Sequence, residues 1–196
     1  MPAPGLSGLR LYCAHPGSGL GQMAGCGASP YWAYPWAGGL ALACYLAEHP
    51  QAVAGLRAVD LGSGSGLVAV AAAKAGARSV LAVDIDRNAV AAIALNAALN
   101  GISVATCLAD ITGGPPPDAD VVLAGDVFYA ADVAARTGPY LARCAAAGLS
   151  VLVGDPGRTF LPAEGLGRCA EYDVRDFADG GPTTRAAVYR IRPVPA

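Results

Sequence analysis

A glycine-rich segment at residues 60–66, with the sequence DLGSGSG, points most directly to ligand binding. Glycines permit a tight turn and let a ligand approach the backbone closely, and a helix that begins there offers free N–H groups. A dinucleotide-binding loop has the spacing GxGxxG and places a pyrophosphate on the helix end. Here Gly62, Ser63, Gly64 and Gly66 follow the pattern GxGxG, with Asp60 just before them. Because S-adenosylmethionine carries an ammonium and a sulfonium, this acidic loop predicts a site for that cofactor rather than for NAD.

Two more aspartates follow the next two predicted strands. Asp84 ends the second strand, where a carboxylate can accept hydrogen bonds from both hydroxyls of a ribose. Asp110 and Ile111 come after the third strand, in reach of an adenine amino group, and Ile85 is placed to pack on the ring face. Each aspartate alone is also explained as a turn or helix-capping residue. Three of them at successive strand ends, behind a glycine loop, favour a cofactor site.

These residues need a scaffold in which strand ends meet. From residue 57 the chain alternates apolar runs with helical patterns, which predicts a parallel sheet covered on both faces. Ligands of such sheets bind outside the carboxyl ends of the strands. We predict strands at 57–61, 79–84, 103–108, 120–125 and 149–154, and helices at 38–48, 67–75, 88–100 and 131–147. The glycines and prolines at 113–117 leave little room for a helix between the third and fourth strands.

The C-terminal region breaks this alternation. Residues 169–175 and 184–192 both have strand patterns and are joined by a short loop, so they must be antiparallel. The predicted fold class is α/β, a doubly wound, mostly parallel seven-stranded sheet with a C-terminal antiparallel hairpin, the Rossmann-like architecture of class I methyltransferases. We divide the chain into an N-terminal arm and helix, 1–54, and a core, 55–196, within one structural domain. The arm carries one short strand around 9–12 and no motif.

Composition excludes several classes. Of the 196 residues, 54% are hydrophobic and 14% are charged, which excludes intrinsic disorder. The 26 glycines and 15 prolines have no period, which excludes collagen-like sequence. No apolar run approaches the roughly 20 residues that a membrane span needs, and no secretory signal begins the chain. We therefore expect a soluble, cytoplasmic protein without a membrane partner.

The charge of the chain and its cysteine and histidine spacing limit the classes of partner and ligand that we expect. The net charge is −2 and Lys74 is the single lysine, so nucleic acid is an unlikely partner. The six cysteines form no CxxC pair, and the two histidines add no ligand spacing. We expect reduced thiols that act as small buried hydrophobes, and no metal.

The cofactor residues resemble the S-adenosylmethionine-binding motifs of seven-β-strand (class I) methyltransferases. More specific are residues 31–39 (YWAYPWAGG), 126–129 (DVFY) and 154–158 (GDPGR). Together they are similar to the lysine methyltransferases that modify the electron-transfer flavoprotein β subunit, and to their bacterial relatives, over residues 30–192. Large-subunit ribosomal-protein methyltransferases share a similar 60–100 region, so that stretch does not separate the two families.

The resemblance implies roles on the acceptor side of the site. It makes Asp126 important for activity and favours contact between Trp36 and the cofactor. Lysine arrives protonated, so Asp126 would first position the ammonium and secondly accept a proton. Tyr129 and Phe128 either face the amine, because cations are favoured over aromatic rings, or lie in the core. We take Asp126 and Tyr129 as the catalytic candidates.

The sequence does not decide the roles of Arg158 and of the threonine pair at residues 183 and 184. Arg158 contacts either an acidic group of the substrate or an internal carboxylate, and the segment before it has the Pro-Gly pattern of a type II turn. Thr183 and Thr184, at the start of the last predicted strand, match a threonine-containing segment of the family and are equally undecided.

Three hypotheses for the function follow. The first is an S-adenosylmethionine-dependent protein-lysine N-methyltransferase acting on a protein such as the electron-transfer flavoprotein β subunit or a ribosomal protein. The second is a methyltransferase for RNA or for a small amine of the nicotinamide type. The third is a catalytically silent binding protein that keeps the cofactor fold.

Overall fold

The structure, a computed structural model, describes residues 6, 8–15, 17–20, 30–175 and 183–192. Four helices follow in chain order: α1 (Ala37–Glu48), α2 (Leu67–Lys74), α3 (Arg87–Leu99) and α4 (Ala131–Ala146). The strands are β1 (Arg57–Leu61), β2 (Ser79–Asp84), β3 (Ala105–Leu108), β4 (Val121–Gly125), β5 (Ser150–Asp155), β6 (Leu166–Arg175) and β7 (Thr183–Ile191). Every predicted helix and sheet strand is confirmed, with ends that shift by at most a few residues.

The seven strands form one sheet in the order β3-β2-β1-β4-β5-β7-β6. Strands β1 to β5 pair in parallel, and β7 pairs antiparallel with both β5 and β6. The order reverses direction between β1 and β4, which creates the crevice where open α/β sheets bind ligands. The predicted fold class is confirmed, including the antiparallel hairpin; the loop between β6 and β7, residues 176–182, lies outside the described residues.

Alternation along the strands sends side chains to two faces of the sheet. Val121 and Leu123 join a cluster with α1 and α2 on one face, and Val122 and Ala124 join a cluster with α4 on the other. Both faces are covered, which accounts for the nearly continuous apolar runs of β4 and β5. Helix α1 contributes to the first cluster, so it shares the core of the sheet; the boundary at residue 54 stays a prediction.

The N-terminal segment lies against helix α3. Leu9 and Leu11 are buried in the first core cluster. Asn96 in the last turn of α3 and Asn100 directly after it accept hydrogen bonds from the backbone N–H groups of Tyr12 and Arg10, at 2.8 and 3.0 Å. The predicted short strand at 9–12 is not part of the seven-stranded sheet, because these side-chain amides take the place of a neighbouring strand.

Three further findings concern the described part of the chain. It contains no helix long and apolar enough to cross a membrane, and no group of residues suited to hold a metal ion. Five of its cysteines are free: Cys13, Cys44, Cys107, Cys144 and Cys169.

Candidate active site

A cavity of about 520 Å³ opens at the carboxyl ends of the parallel strands. This volume lies within the range of about 300–1,000 Å³ that is typical of small-molecule sites. Eleven of the twelve predicted site residues line it: Trp36, Asp60, Gly62, Ser63, Gly64, Asp84, Ile85, Asp110, Ile111, Asp126 and Tyr129. The fold therefore places these eleven residues, which are distant in the sequence, around one cavity.

The twelfth predicted residue, Gly66, lies at the start of α2 rather than in the cavity wall. Its φ of 80° is in the left-handed region that favours glycine. A Cβ there would lie 3.1 Å from the Cα of Ile93 on α3. The structure thus gives Gly66 a packing role: it lets two helices approach each other behind the loop.

Asp60 lies inside the glycine loop and is only 1% exposed. Its Oδ2 accepts hydrogen bonds from the Ser63 hydroxyl at 2.5 Å and from the Ala69 N–H in the first turn of α2 at 3.0 Å. Burial raises the pKa of this carboxyl to about 7, although both hydrogen bonds oppose the shift. Asp60 therefore stabilises the loop and is poised to change its charge near neutral pH.

Asp84 sits at the end of β2 with donors on both oxygens. Oδ2 accepts from the Gly64 N–H at 2.8 Å, which ties the carboxylate to the loop. Oδ1 accepts from the Asp86 N–H at 3.0 Å and from the Tyr31 hydroxyl at 2.9 Å. Burial, followed by the charge of Asp84, raises the pKa of Tyr31 far above its usual value. Tyr31 thus occupies part of the place expected for ribose hydroxyls, a contact that the sequence reasoning missed.

The far end of the cavity carries Asp110 and two isoleucines. Asp110 Oδ1 accepts from both the N–H and the hydroxyl of Thr112, and these bonds lower the pKa of Asp110. Ile85 is an exposed large hydrophobic residue, and Ile111 is half-buried. An exposed apolar side chain beside an anchored carboxylate suits a ring that carries an amino group.

Asp126, directly after β4, is 7% exposed. It has a φ of 56°, and among the described residues it is the single non-glycine with positive φ. Aspartate tolerates this left-handed conformation better than most residues do. The turn aims its carboxylate back toward the first turn of α1, where Oδ2 accepts from the Gly39 N–H at 2.8 Å.

Arg158 pairs with the other oxygen of Asp126. Its Nη2 and Nε lie 2.6 and 3.1 Å from Asp126 Oδ1. Burial raises the pKa of Asp126, while the charge of Arg158 opposes that rise. Of the two roles left open for Arg158, the structure shows the internal carboxylate.

The turn before Arg158 explains why this arginine reaches Asp126. Asp155, at the end of β5, is fully buried, and its Oδ1 accepts from the N–H groups of Gly157 and Arg158, both at 2.7 Å. Gly157 has a φ of 87°, as the Pro-Gly pattern predicts for a type II turn. The Asp155 side chain therefore holds the backbone from which Arg158 extends.

Close approach of α1 to the sheet brings its first turn to Asp126. A Cβ on Gly38 would lie 2.2 Å from the Gly154 carbonyl oxygen, and one on Gly125 would lie 2.8 Å from the Cα of Gly39. No larger residue fits at these contacts. The adjacent glycines at a helix start, where glycine lowers helix stability, were the signal in the sequence that could have revealed this approach.

The aromatic candidates separate clearly. Phe128 is fully buried in the core cluster against α4, whereas Tyr129 is 59% exposed at the cavity rim. The Trp36 Nε1–H donates to the Tyr31 carbonyl oxygen at 2.9 Å, and the Arg158 guanidinium lies 6.0 Å from the Trp36 ring centre. Thr183 and Thr184 pair with β6 at the start of β7 and are not part of the cavity wall.

Comparisons with solved structures define the class of the fold. A ribosomal protein L11 methylase from Lactobacillus delbrueckii subsp. bulgaricus superimposes with a TM-score of 0.54 at 22% identity, covering 77% of each chain. A magnesium protoporphyrin IX methyltransferase from Synechocystis, solved with bound SAH, gives a TM-score of 0.53 at 15% identity, covering 76% of this chain and 79% of that one. The fold is that of the Rossmann-like class I methyltransferases.

Sequence comparisons are more specific. An electron transfer flavoprotein β subunit lysine methyltransferase from Rattus norvegicus is 38% identical over 172 residues, which cover 84% of this chain and 68% of the relative. The Homo sapiens protein of the same name is 43% identical over 131 residues, or 66% of this chain and 50% of that protein. The chain thus spans 68% of the length of the first relative and 50% of the length of the second. It belongs to the family of electron transfer flavoprotein β subunit lysine methyltransferases.

A second family is also similar. The ribosomal protein L11 methyltransferase (PrmA) family model matches residues 44–128. The ribosomal protein L11 methyltransferase of Geobacter sulfurreducens is 41% identical over 116 residues, covering 57% of this chain and 37% of that protein. The PrmA family model thus covers the glycine loop and Asp126, but it ends before Asp155 and Arg158.

Proposed function

We propose that this chain transfers a methyl group from S-adenosylmethionine to lysine side chains of a protein, such as the electron transfer flavoprotein β subunit or a ribosomal protein. The observation that carries the proposal is that the glycine loop with Asp84 and the Asp126 turn lie in the walls of one cavity. A donor end and an acceptor end that share one cavity are what a direct transfer needs, since the reacting atoms must come within about 3–3.5 Å. Membership of a family named for lysine methylation supports the same reading.

The residues of the donor end fit S-adenosylmethionine. Asp84 Oδ2 accepts one hydrogen bond in the structure, and a carboxylate oxygen can accept a second, as a ribose hydroxyl requires. Ile85 offers an apolar face for adenine, and Asp110 an acceptor for its amino group. Asp60 supplies negative charge beside the loop where the cationic methionine portion would lie. When bound, the cofactor supplies a methyl group on a positively charged sulfur.

The acceptor end is built to orient an amine. Lysine has a reference pKa of about 10.4, and only its neutral form has the lone pair that attacks a methyl group. The Asp126 carboxylate is fixed at the cavity wall by its hydrogen bond from Arg158, and the Tyr129 side chain is exposed at the cavity rim. In this proposal the alkyl chain of the lysine packs against Tyr129, and its nitrogen lies next to Asp126.

The proposal extends to the setting of the enzyme. We propose a cytoplasmic location, which the free cysteines of the described residues support because disulfides are rare in that compartment. The partner is a protein that presents a lysine. The net charge of −2 supports a protein over RNA.

The test is a labelling experiment. The purified enzyme is incubated with S-adenosylmethionine carrying a labelled methyl group and a cell extract, and the labelled product is digested and analysed by mass spectrometry. We expect a protein band that contains methylated lysine. Label confined to RNA or to small molecules would contradict the proposal and favour the second hypothesis, and no label in any fraction would favour a silent binding protein.

Asp118→Asn is the matched control for this experiment. Asp118 forms a surface ion pair with Arg57 at 2.6 Å, at the amino ends of the strands and thus opposite the cavity. We expect this variant to label the same band as the wild type. Gly64→Val, which places a side chain in the cavity, should label none.

A further inference from the structure

The Asp126 carboxylate has a charged donor on one oxygen and a neutral donor on the other. Asp126 Oδ1 is shared by two nitrogens of Arg158, and Oδ2 accepts from the Gly39 N–H. The Asp126 side chain is 8% exposed and the Arg158 side chain 27% exposed. The pair is therefore largely shielded from water, yet the guanidinium still forms part of the cavity wall.

Arg158 itself is held from three directions. Its backbone N–H bonds to the buried Asp155 carboxylate, its guanidinium faces the Trp36 ring, and its nitrogens bond to Asp126. A long side chain held at both ends loses little further freedom when a substrate arrives. The guanidinium is thus a fixed cation at the place where the amine must bind.

Two consequences follow for a lysine that enters the cavity. Although burial raises the pKa of Asp126, transfer of the lysine proton to this carboxylate would break its pair with the guanidinium and leave Arg158 without an anionic partner. A second cation beside Arg158 is also disfavoured, since a like charge nearby favours the neutral form of an amine. The Asp126–Arg158 pair has no net charge. Its carboxylate is therefore an oriented hydrogen-bond acceptor for the lysine nitrogen that does not stabilise an ammonium.

We propose that Arg158 is a positioning residue that fixes Asp126 and makes the site select the neutral amine form of the target lysine. This inference rests on the proposed lysine methylation. The lysine ammonium gives its proton to solvent water as the side chain enters the cavity, so no protein carboxylate needs to take that proton. The neutral nitrogen is then oriented by donating an N–H hydrogen bond to Asp126.

Other titratable and charged groups face the same cavity and are part of the test. The other titratable or charged residues that line the cavity are Tyr31, Tyr34, Asp60, Asp84, Asp110, Tyr129 and Arg136, and Asp155 is buried next to the Arg158 backbone. None of these residues is replaced in an Arg158 variant, but the Arg158 charge opposes the burial that raises the pKa of Asp155 and of Asp126. Protonation of either carboxyl would weaken the attraction for an ammonium, so a fall in KM together with the shifted acidic limb identifies an ammonium held by an unpaired, charged Asp126.

The experiment compares Arg158→Met, Arg158→Lys and the wild type, with the purified electron transfer flavoprotein, or the protein that the extract labels instead, as methyl acceptor. In Arg158→Met the unpaired Asp126 should hold an ammonium. We expect KM to fall several-fold at pH 7.5, kcat to fall about 10-fold or more, and the acidic limb of the kcat profile to move up by about one pH unit. Activity should recover toward the wild-type value near pH 9.5. Arg158→Lys keeps the charge and should keep the wild-type profile.

A double variant, Asp126→Asn with Arg158→Met, keeps the pair uncharged and separates charge from packing. We expect a slower enzyme whose acidic limb returns to the wild-type position. If Arg158→Met instead lowers kcat equally at every pH, or fails to fold while Arg158→Lys shows a shifted profile, the inference is wrong and Arg158 only stabilises the fold. A wild-type enzyme that methylates no protein contradicts the proposed function itself, which is a different outcome.

Discussion

Asp60 in the glycine loop and Asp126 after β4 are both aspartates with almost no exposed surface, but their partners differ. Asp60 is bonded to a hydroxyl and a backbone N–H, and burial raises its pKa to about 7. Asp126 is bonded to a guanidinium and a backbone N–H, and the arginine opposes the effect of burial. Burial thus prepares the donor end of the cavity to gain a negative charge when a cation binds, whereas the acceptor end has its charge already balanced.

The largest expected effect that separates the two ends is at Gly64. Its φ is 54°, a conformation that is strongly unfavourable for a β-branched residue, and a Cβ there would lie 3.9 Å from the ring of Tyr31, which also lines the cavity. Gly64→Val should abolish S-adenosylmethionine binding in calorimetry while circular dichroism shows a folded protein. Unchanged affinity would mean that the loop is only a turn and that the donor end lies elsewhere.

Asp126→Asn tests the acceptor end and should reduce turnover by about 100-fold or more, because a fixed charge and its alignment are lost. Asparagine also tolerates positive φ, so the backbone turn should persist. Arg158 loses its anionic partner, and we expect the free energy of unfolding to fall by about 1–3 kcal/mol. Cofactor affinity should stay within a few-fold, and Asp118→Asn should match the wild type in all three measurements. Wild-type turnover in Asp126→Asn would remove Asp126 from the acceptor site.

The raised pKa of Asp60 predicts that cofactor binding depends on pH. A cationic ligand favours the charged carboxylate, so binding should release a proton, and affinity should rise about 10-fold between pH 5.5 and 7. Calorimetry in buffers of different ionisation enthalpy measures the released proton. Asp60→Asn, which can accept both hydrogen bonds through one oxygen, should show weaker and pH-independent binding. A wild-type affinity that is flat across this range would contradict the assignment of a cation beside Asp60.

The same group affects stability with the opposite trend. Because burial raises the pKa of Asp60 in the folded protein above the usual value of an aspartate, the cofactor-free protein binds an extra proton on folding between about pH 4 and pH 7. This contribution to stability is fully present below about pH 4 and is lost as the pH rises through about 7. Denaturant unfolding of the wild type and Asp60→Asn across that window measures it.

Tyr31→Phe has the smallest expected effect. It removes the hydroxyl that donates to Asp84 at 2.9 Å and so leaves that oxygen to a ribose hydroxyl. A net hydrogen bond contributes about 0.5–1.5 kcal/mol, so S-adenosylmethionine should bind up to about 10-fold more tightly to the variant. Weaker binding would instead show that Tyr31 contacts the cofactor directly.

The parts of the site that could be predicted are those in which spacing along the chain determines position. Asp60, Asp84 and Asp110 each follow a strand whose apolar pattern is evident, and parallel strands bring their ends to one edge. Arg158 and Asp126 are 32 residues apart, and the approach of Gly38 to Gly154 joins a helix to a distant strand. Such contacts depend on how elements pack, which strand and helix patterns do not specify. Tyr31 was missed for the same reason.

The positive φ of Asp126 has a consequence for how this activity can be lost during evolution. Most side chains are disfavoured at that position by the backbone alone, so a viable change of residue is nearly limited to glycine and asparagine. Asparagine would keep the turn and the whole donor end of the cavity while removing the charge that Arg158 holds. A descendant that bound the cofactor but transferred no methyl group is therefore one substitution away. Such a protein would still have a positive φ at position 126, although the charge that this turn positions would be gone.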